Sequence, residues 1–466
     1  MNLQKRRIFS WEMLPVIFTL AWPTILEEIM RTAVQYIDTA MVGSLGTQAT
    51  AAVGATTTVN WLVISTISAM GVGLLSYISQ ACGANEKEKA RHAASQAVLL
   101  VLVVGIAFTV LTSVLSPVVP VWMQVEESLQ PLATRYFFIL YLPMLPRTAG
   151  ILFGAVLRAA GDTKTPMRAG ILINVINVVL NFLMIYPSRT VQLFSFSFQM
   201  FGFGWGVEGA AIASAVAMTV GGVWITVAVW KHPLVSPGKL SLKPDWAILR
   251  PCMKVAVPNL LQRFGTSLGY VTFASMINSL GEAATAAHTI ANTVESAFYI
   301  PGYGMQAAIA TLSGNALGAR DNRKLKELTS TTIIVEVALM TVSGGLLYLL
   351  APNMVALFSD SQEVILLGAA VLRLVSLSEP VYGASVIIEG IMQGVGRTMA
   401  PFVFNIIGMW GVRMVGTFLC TQLLGYGLVS AWLCMVIHNL LLFVLLLTHY
   451  IRGTWNPMNK KETPVL

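Results

Sequence analysis

Long apolar runs recur from one end of the chain to the other, and they restrict the fold more than any other feature. Residues 97–115, 331–351 and 439–451 form three such runs, and a helix needs roughly 20 mostly apolar residues to span a bilayer. Only 11% of the residues are charged, whereas soluble domains average about 25%. The longest polar stretch, Lys231 to Arg250, is a linker. The sequence therefore predicts an all-α integral membrane protein without a separate soluble domain.

The basic residues are distributed asymmetrically along this chain. Twelve predicted helices leave thirteen extramembrane segments, and alternate segments with their helix ends hold 21 of the 29 Lys and Arg residues. Because cytoplasmic loops carry the excess of Lys and Arg, we expect a multi-pass protein of the cell membrane with both termini in the cytoplasm. The net charge of +8 is then an orientation signal, and no nucleic-acid partner is expected.

An internal repeat with an offset of 235 residues relates the two halves of the sequence. The aligned segments are AWPTIL from Ala21 with AVPNLL from Ala256, SLGTQATAA from Ser44 with SLGEAATAA from Ser279, QACGANEKEKAR from Gln80 with NALGARDNRKLK from Asn315, and LRAAGDTKTPM from Leu157 with MQGVGRTMAPF from Met392. Four matches in order at one spacing indicate duplication rather than chance. The first half carries about fourteen extra residues, which we place in an outer loop around Tyr186–Trp205.

Each half contains six predicted helices, an even number, so both halves enter the membrane from the same side. The halves are then parallel repeats with a pseudo-twofold axis along the membrane normal, an arrangement that in transporters places the substrate site between the halves. We predict an N-lobe at residues 1–230, a cytoplasmic linker at 231–250 and a C-lobe at 251–466. A duplication without a role in transport is the alternative reading.

Several motifs resemble those of the multidrug and toxic compound extrusion (MATE) family, in its bacterial and archaeal DinF-type and NorM-type members. They are AWP and YIDTAMVGSLG in predicted helix 1, the GAN loop after helix 2 with its repeat GAR, and LRAAGDTKTP between helices 4 and 5. The resemblance covers nearly the whole chain. It implies a twelve-helix, two-lobe fold and secondary active efflux of drugs and organic cations, driven by inward movement of Na+ or H+.

Asp38 is the residue we expect to couple transport to an ion. It lies deep in predicted helix 1, where a carboxylate costs roughly 2.5–3.5 kcal/mol on insertion scales, and its repeat partner is the apolar Phe273. A carboxylate can hold either a proton or a hard cation. A structural pairing with Arg31 on the same helix is the alternative.

Predicted helix 5 carries Asn177 and Asn181, which are four residues apart and therefore share one face. The resemblance implies a cation-coupling site made of Asp38, Asn177, Asn181 and Ser214, with Na+ held at the first three. The Asn181 position is often aspartate in relatives, and one negative charge fewer weakens Na+ binding and leaves H+ coupling open. Hydrogen bonding of the amides between helices is the alternative role.

Four glutamates are candidates for contact with substrate: Glu27 and Glu28 after Pro23, and Glu379 and Glu389 in predicted helix 10. Packing at a lobe interface is an equal alternative for the first pair, and loop capping or helix-end solvation for the second. Relatives place a glutamate eight residues after the proline of helix 7 or an aspartate in helix 10, whereas this chain has Thr266 and Tyr382 there. We therefore expect the C-lobe acids, Glu295 included, not to carry ion coupling.

Nucleotide-binding loops, HExxH motifs and CxxC pairs are absent from the sequence, so we expect neither an enzyme nor a cofactor beyond the coupling ion. The expected partners are the lipid bilayer and a small, cationic, amphipathic substrate, and we expect a monomer. A lipid or lipid-linked oligosaccharide flippase of a related two-lobe fold is the alternative function. Such flippases carry a basic central cavity, whereas most Lys and Arg residues here fall on predicted cytoplasmic loops.

Overall fold

The computed structural model describes residues 9–193, 196–238 and 242–459. Most of these residues are helical. Helices suit an apolar solvent because every backbone N–H and C=O is bonded within the segment itself. The two chain ends, to which the prediction of a cytoplasmic location applies, lie outside the described residues.

The first half of the chain forms eight helices and one hairpin. The helices are Met13–Gly43 (α1), Thr47–Gly83 (α2), Lys87–Leu115 (α3), Val119–Trp122 (α4), Gln130–Tyr141 (α5), Met144–Ala159 (α6), Lys164–Met184 (α7) and Gly206–Lys231 (α8), and the strands are Pro187–Leu193 (β1) and Phe196–Phe203 (β2). The strands pair antiparallel, with Arg189 opposite Met200. This hairpin occupies the loop in which the repeat comparison predicted the extra residues.

The second half forms nine further α-helices within the described residues. They are Trp246–Asn278 (α9), Glu282–Phe298 (α10), Ile300–Gly318 (α11), Asn322–Ala356 (α12), Gln362–Ser376 (α13), Glu379–Gly394 (α14), Met399–Ile406 (α15), Val415–Thr417 (α16) and Leu428–Ile451 (α17). Two π-helical segments, Ile407–Met414 and Phe418–Leu423, continue α15 and α16 into one long span.

Three of the predicted spans are each built from two helices. The span near 128–158 bends by 50° between α5 and α6, and the span near 361–393 bends by 53° between α13 and α14. The residue after α5 is Leu142, and the residue after α13 is Leu377. These residues are 235 positions apart, which is the offset of the repeat, so the bend lies at the same place in both halves. The third broken span is α10 followed by α11, whereas its repeat partner α2 is continuous.

Eight helices of the described residues are long and apolar enough to cross a membrane alone, and the two bent pairs raise this number to ten. The other two predicted spans do not meet that measure. Helix α9 carries polar residues such as Gln262, Arg263 and Thr266, and the α10–α11 span is divided at Tyr299. Large apolar side chains such as Val110, Val342 and Leu349 are exposed on long helices, as expected where lipid replaces water.

The helices group into two compact units. The N-terminal unit comprises 29–74 and 87–249, and the C-terminal unit comprises the described residues of 9–28, 75–86 and 250–459. One apolar cluster of the C-terminal unit lies around Phe273 and Trp432, and a second joins Ile17, Met305 and Ile387. The lobe limits inferred from the sequence stay a prediction.

Candidate functional site

Helices α7 and α8 of the N-terminal unit approach each other closely because α8 is rich in glycine and alanine. A Cβ atom at Gly209 would lie 2.4 Å from the carbonyl oxygen of Met184, and one at Gly221 would lie 2.2 Å from the side chain of Ile173. Small residues at a helix interface allow backbones to approach in membranes. The short distance allows small polar side chains on the two helices to bond directly.

The structure brings the four predicted coupling residues together in one hydrogen-bonded chain. Asn177 Nδ2 donates to Ser214 Oγ at 2.9 Å, and Asn181 Nδ2 donates to Asn177 Oδ1 at 3.1 Å. Asn181 Nδ2 also donates to Asp38 Oδ1. Three helices, α1, α7 and α8, therefore converge on this network, which we call the Asp38 network.

Burial makes the Asp38 network costly unless its polar atoms are bonded. Asn177, Asn181 and Ser214 are buried, and Asp38 is half-buried. Asn181 Oδ1 is a buried oxygen without a hydrogen-bond partner among the described residues. A cation bound beside Asp38 could take this oxygen as a ligand, since carboxylate, amide and hydroxyl oxygens suit hard cations. The residues thus fit either a small metal cation or a proton on Asp38.

A second polar group of the N-terminal unit was not identified from the sequence. Arg147 of α6 is 6% exposed and donates to Asn60 Oδ1 at 2.8 Å. The hydroxyl of Tyr141 donates to the same oxygen at 2.9 Å. Arg147 and Tyr141 therefore share one acceptor, the amide oxygen of Asn60. The signal in the sequence was an arginine in the interior of the predicted span near 128–158.

The predicted substrate residues Glu27 and Glu28 are half-buried in α1, which continues through Pro23. They belong to the C-terminal unit, whereas Asp38 of the same helix belongs to the N-terminal unit. Helix α1 thus contributes to both units. Contact of this pair with substrate stays a prediction.

Glu379 and Glu389 lie on α14 in different surroundings. Glu389 accepts from Asn405 Nδ2 at 2.5 Å and from Gln262 Nε2 at 3.2 Å, which is a bonded polar network inside the unit. Glu379 is 1% exposed, and its Oε2 has no hydrogen-bond partner among the described residues. Neither side chain is solvated at a helix end.

Thr266 and Tyr382 occupy the two C-lobe positions at which we expected no coupling acid, and both side chains form hydrogen bonds. Thr266 Oγ1 donates to the carbonyl oxygen of Gln262 within α9 at 2.8 Å. The hydroxyl of Tyr382 lies 2.8 Å from that of Tyr303. A different acid, Glu336, is fully buried on α12, which contacts α14. The sequence analysis did not identify it, although it is the lone charge in the apolar run 331–351.

These features define a class: a polytopic helical membrane protein with a buried, ionisable polar network inside its membrane spans. The chain belongs to the MATE family, because the family model described as MatE matches residues 23–183 and 258–419. The two matched segments begin 235 residues apart, which is the offset of the repeat. The prediction of a transporter rather than an enzyme is confirmed.

Curated relatives and solved structures agree with this membership. The chain is 25% identical to a "Probable multidrug resistance protein NorM" of Thermotoga maritima, over 94% of this chain and 92% of that protein. It is 25% identical to a "Probable multidrug resistance protein YoeA" of Bacillus subtilis, over 88% of this chain and 87% of that protein. A solved "outward-facing conformation of a multidrug resistance MATE family transporter" matches with a TM-score of 0.87 at 22% identity, covering 99% of this chain and 100% of that chain. The predicted fold class, twelve helices in two lobes, is confirmed by this likeness.

Proposed function

We propose that this transporter exports small, cationic, amphipathic molecules in exchange for Na+ or H+, and that the ion binds at the Asp38 network. Multidrug efflux is supported by membership of the MATE family and by relatives named as multidrug resistance proteins. The observation that carries the coupling site is the convergence of Asp38, Asn181 and Asn177 in one buried network.

The chemistry of coupling follows from the single negative charge of this network. When Asp38 is ionised, Asn181 stabilises one carboxylate oxygen by donating a hydrogen bond. A proton or a small cation neutralises the acid, and the two states differ by one full charge inside the membrane. One charge that moves through 100 mV supplies about 2.3 kcal/mol. A single coupling acid can therefore drive export when an ion concentration gradient adds to the potential.

We further propose that both termini and the Lys231–Arg250 linker are cytoplasmic and that the protein acts as a monomer. The orientation is supported by the alternation of basic loops along the sequence. In this orientation, inward movement of the ion drives outward movement of the substrate.

The decisive experiment uses purified protein in proteoliposomes, with a Na+ gradient and a pH gradient imposed separately. We expect one of the two gradients to drive transport of a fluorescent organic cation. Asp38→Asn should abolish gradient-driven transport but retain substrate binding, because only the exchangeable charge is removed. Glu127→Gln, at an exposed acid of the same unit, is the matched control.

Each outcome of this experiment is informative. Normal gradient-driven export by Asp38→Asn would remove Asp38 from the mechanism. If neither gradient drives export while the protein moves labelled lipid across the vesicle bilayer, the flippase alternative replaces the antiporter.

A further inference from the structure

The C-terminal unit holds a buried acidic cluster that the Asp38 mechanism does not use. Glu295 of α10, Glu336 of α12 and Glu379 of α14 are 9%, 0% and 1% exposed. Glu379 interacts electrostatically with the other two carboxyl groups. Arg413, a buried base of the same unit, interacts with Glu295.

Glu336 is the member of this cluster that needs a further partner. Both of its carboxylate oxygens are buried and have no hydrogen-bond donor among the described residues. An ionised carboxylate in such a place costs several kcal/mol after relaxation, whereas a neutral acid avoids most of that cost. Something small must therefore neutralise Glu336.

Two glycines form the slot that receives the Glu336 carboxyl group. A Cβ atom at Gly302 of α11 would lie 2.8 Å from Glu336 Oε1, and one at Gly383 of α14 would lie 3.2 Å from the same oxygen. Gly383 is one turn beyond Glu379, so both residues are on one face of α14. The carboxyl group thus lies against α11 and α14 at these two glycines. Met340, one turn along α12, also meets Gly383, where its Cγ would lie 2.6 Å from a Cβ atom.

The narrow slot favours a proton over a metal cation. Hard cations require six or more oxygen ligands or retained water molecules, whereas glycines approach the Glu336 carboxyl group from α11 and α14 and no donor bonds to it among the described residues. Among the described residues, no three His, Cys, Asp or Glu side chains are arranged to hold a metal ion. We propose that Glu336, with Glu379 as its acidic neighbour, forms a proton-binding site in the C-terminal unit, separate from the Asp38 network.

The helices that contact α12 carry other titratable groups. Helices α11 and α14 supply the hydroxyl groups of Tyr303 and Tyr382, which pair with each other. Helix α13 supplies two charged residues: Glu363 is exposed, and Arg373 donates to the carbonyl oxygen of Tyr348 at 3.4 Å.

Helices α10 and α1 carry further titratable groups of this unit. Helix α10 supplies Glu295, which has Arg413 in its electrostatic environment. Helix α1 packs on α11, with Thr24 Oγ1 donating to the Gly304 carbonyl oxygen at 2.8 Å, and carries Glu27 and Glu28. No basic side chain among the described residues forms a hydrogen bond with Glu336.

Proton binding can be measured without transport, so this test stands apart from the Asp38 proposal. Purified protein is titrated between about pH 5 and pH 9, above the range in which exposed carboxyl groups titrate. We expect Glu336→Gln to take up about one proton fewer per protein than the wild type. Glutamine has the shape of the neutral acid, and the exposed Glu363→Gln serves as the control, with an unchanged count.

Wild-type proton uptake by Glu336→Gln would overturn the proposal. If that variant does not fold, Glu379→Gln removes the neighbouring charge and should change the pH at which the proton is taken up; an unchanged titration curve would also overturn it. Replacement of choline chloride by sodium chloride should leave the difference between wild type and Glu336→Gln unaltered. A sodium-dependent difference would mean that the slot holds a metal cation, against the proposal.

Discussion

The substitution Gly209→Ala disturbs the packing of α8 against α7 without changing any residue of the Asp38 network. A Cβ atom at this position would meet the carbonyl oxygen and carbon of Met184 at 2.4 and 2.6 Å. Ordinary contact begins at 3.4 Å, so the helices must separate by about 1 Å. The obstacle is backbone and cannot rotate away as a side chain could.

The expected magnitude follows from this displacement. A separation of about 1 Å stretches the 2.9 Å hydrogen bond between Asn177 and Ser214 beyond the useful range of about 3.5 Å. Overpacking costs about 1–3 kcal/mol of stability. Loss of one hydrogen bond costs about 1 kcal/mol, which corresponds to about a fivefold loss of ion affinity if the ligand oxygens are no longer held in place.

The assay measures the half-saturating concentration of the driving ion in proteoliposomes, together with the thermal unfolding midpoint. We expect Gly209→Ala to raise the half-saturating concentration about fivefold and to lower the midpoint. Gly345→Ala in α12 is the matched control, because a Cβ atom there meets nothing within 4 Å and the substitution brings the same gain in helix propensity. Wild-type ion dependence in Gly209→Ala would refute the view that close packing of α7 and α8 sets the site.

Three other predictions test the assignment of the remaining acids, amides and loops. Asn181→Asp adds a second negative charge beside Asp38 and should make transport more dependent on Na+, as seen in initial rates with Na+ and choline; no change would place Asn181 outside the ion site. Glu389→Gln disturbs the bonds from Asn405 and Gln262, so it should alter substrate affinity while the ion dependence survives; loss of gradient dependence would instead assign coupling to the C-terminal unit. A reporter fused after Lys231 should read as cytoplasmic, and a periplasmic reading would contradict the predicted helix count.

The Asp38 network was largely predictable because its signals are local. An acid inside an apolar helix is costly, and the spacing of Asn177 and Asn181 places both amides on one face. Their convergence with Ser214 came from the family resemblance, since spacing on one helix says nothing about the helix opposite. The orphaned oxygen of Asn181 could be seen only once all three helices were placed.

The acids of the C-terminal unit were less predictable for a physical reason. Glu389 is half-buried and Glu379 is buried on the same helix, α14. Asn405 and Gln262 donate to the first, whereas one oxygen of the second has no donor among the described residues. Helical periodicity gives the face on which a side chain lies but not the donors that meet it. Glu336 was overlooked because one acid scarcely changes the hydropathy of a 35-residue helix.

The sequence by itself indicated that the chain lies in a lipid bilayer and that its two halves are a duplication. It also gave the positions of the ionisable groups within the predicted spans. Apolar runs of the length of a bilayer permit only helices, and an offset of 235 residues relates the two halves without any knowledge of structure. The tertiary structure alone decided which polar groups are neighbours. Gly209 lets the backbones of α7 and α8 approach within contact distance, and Gly302 leaves room for the Glu336 carboxyl group. The rotation of each helix at such contacts selects which polar atoms meet.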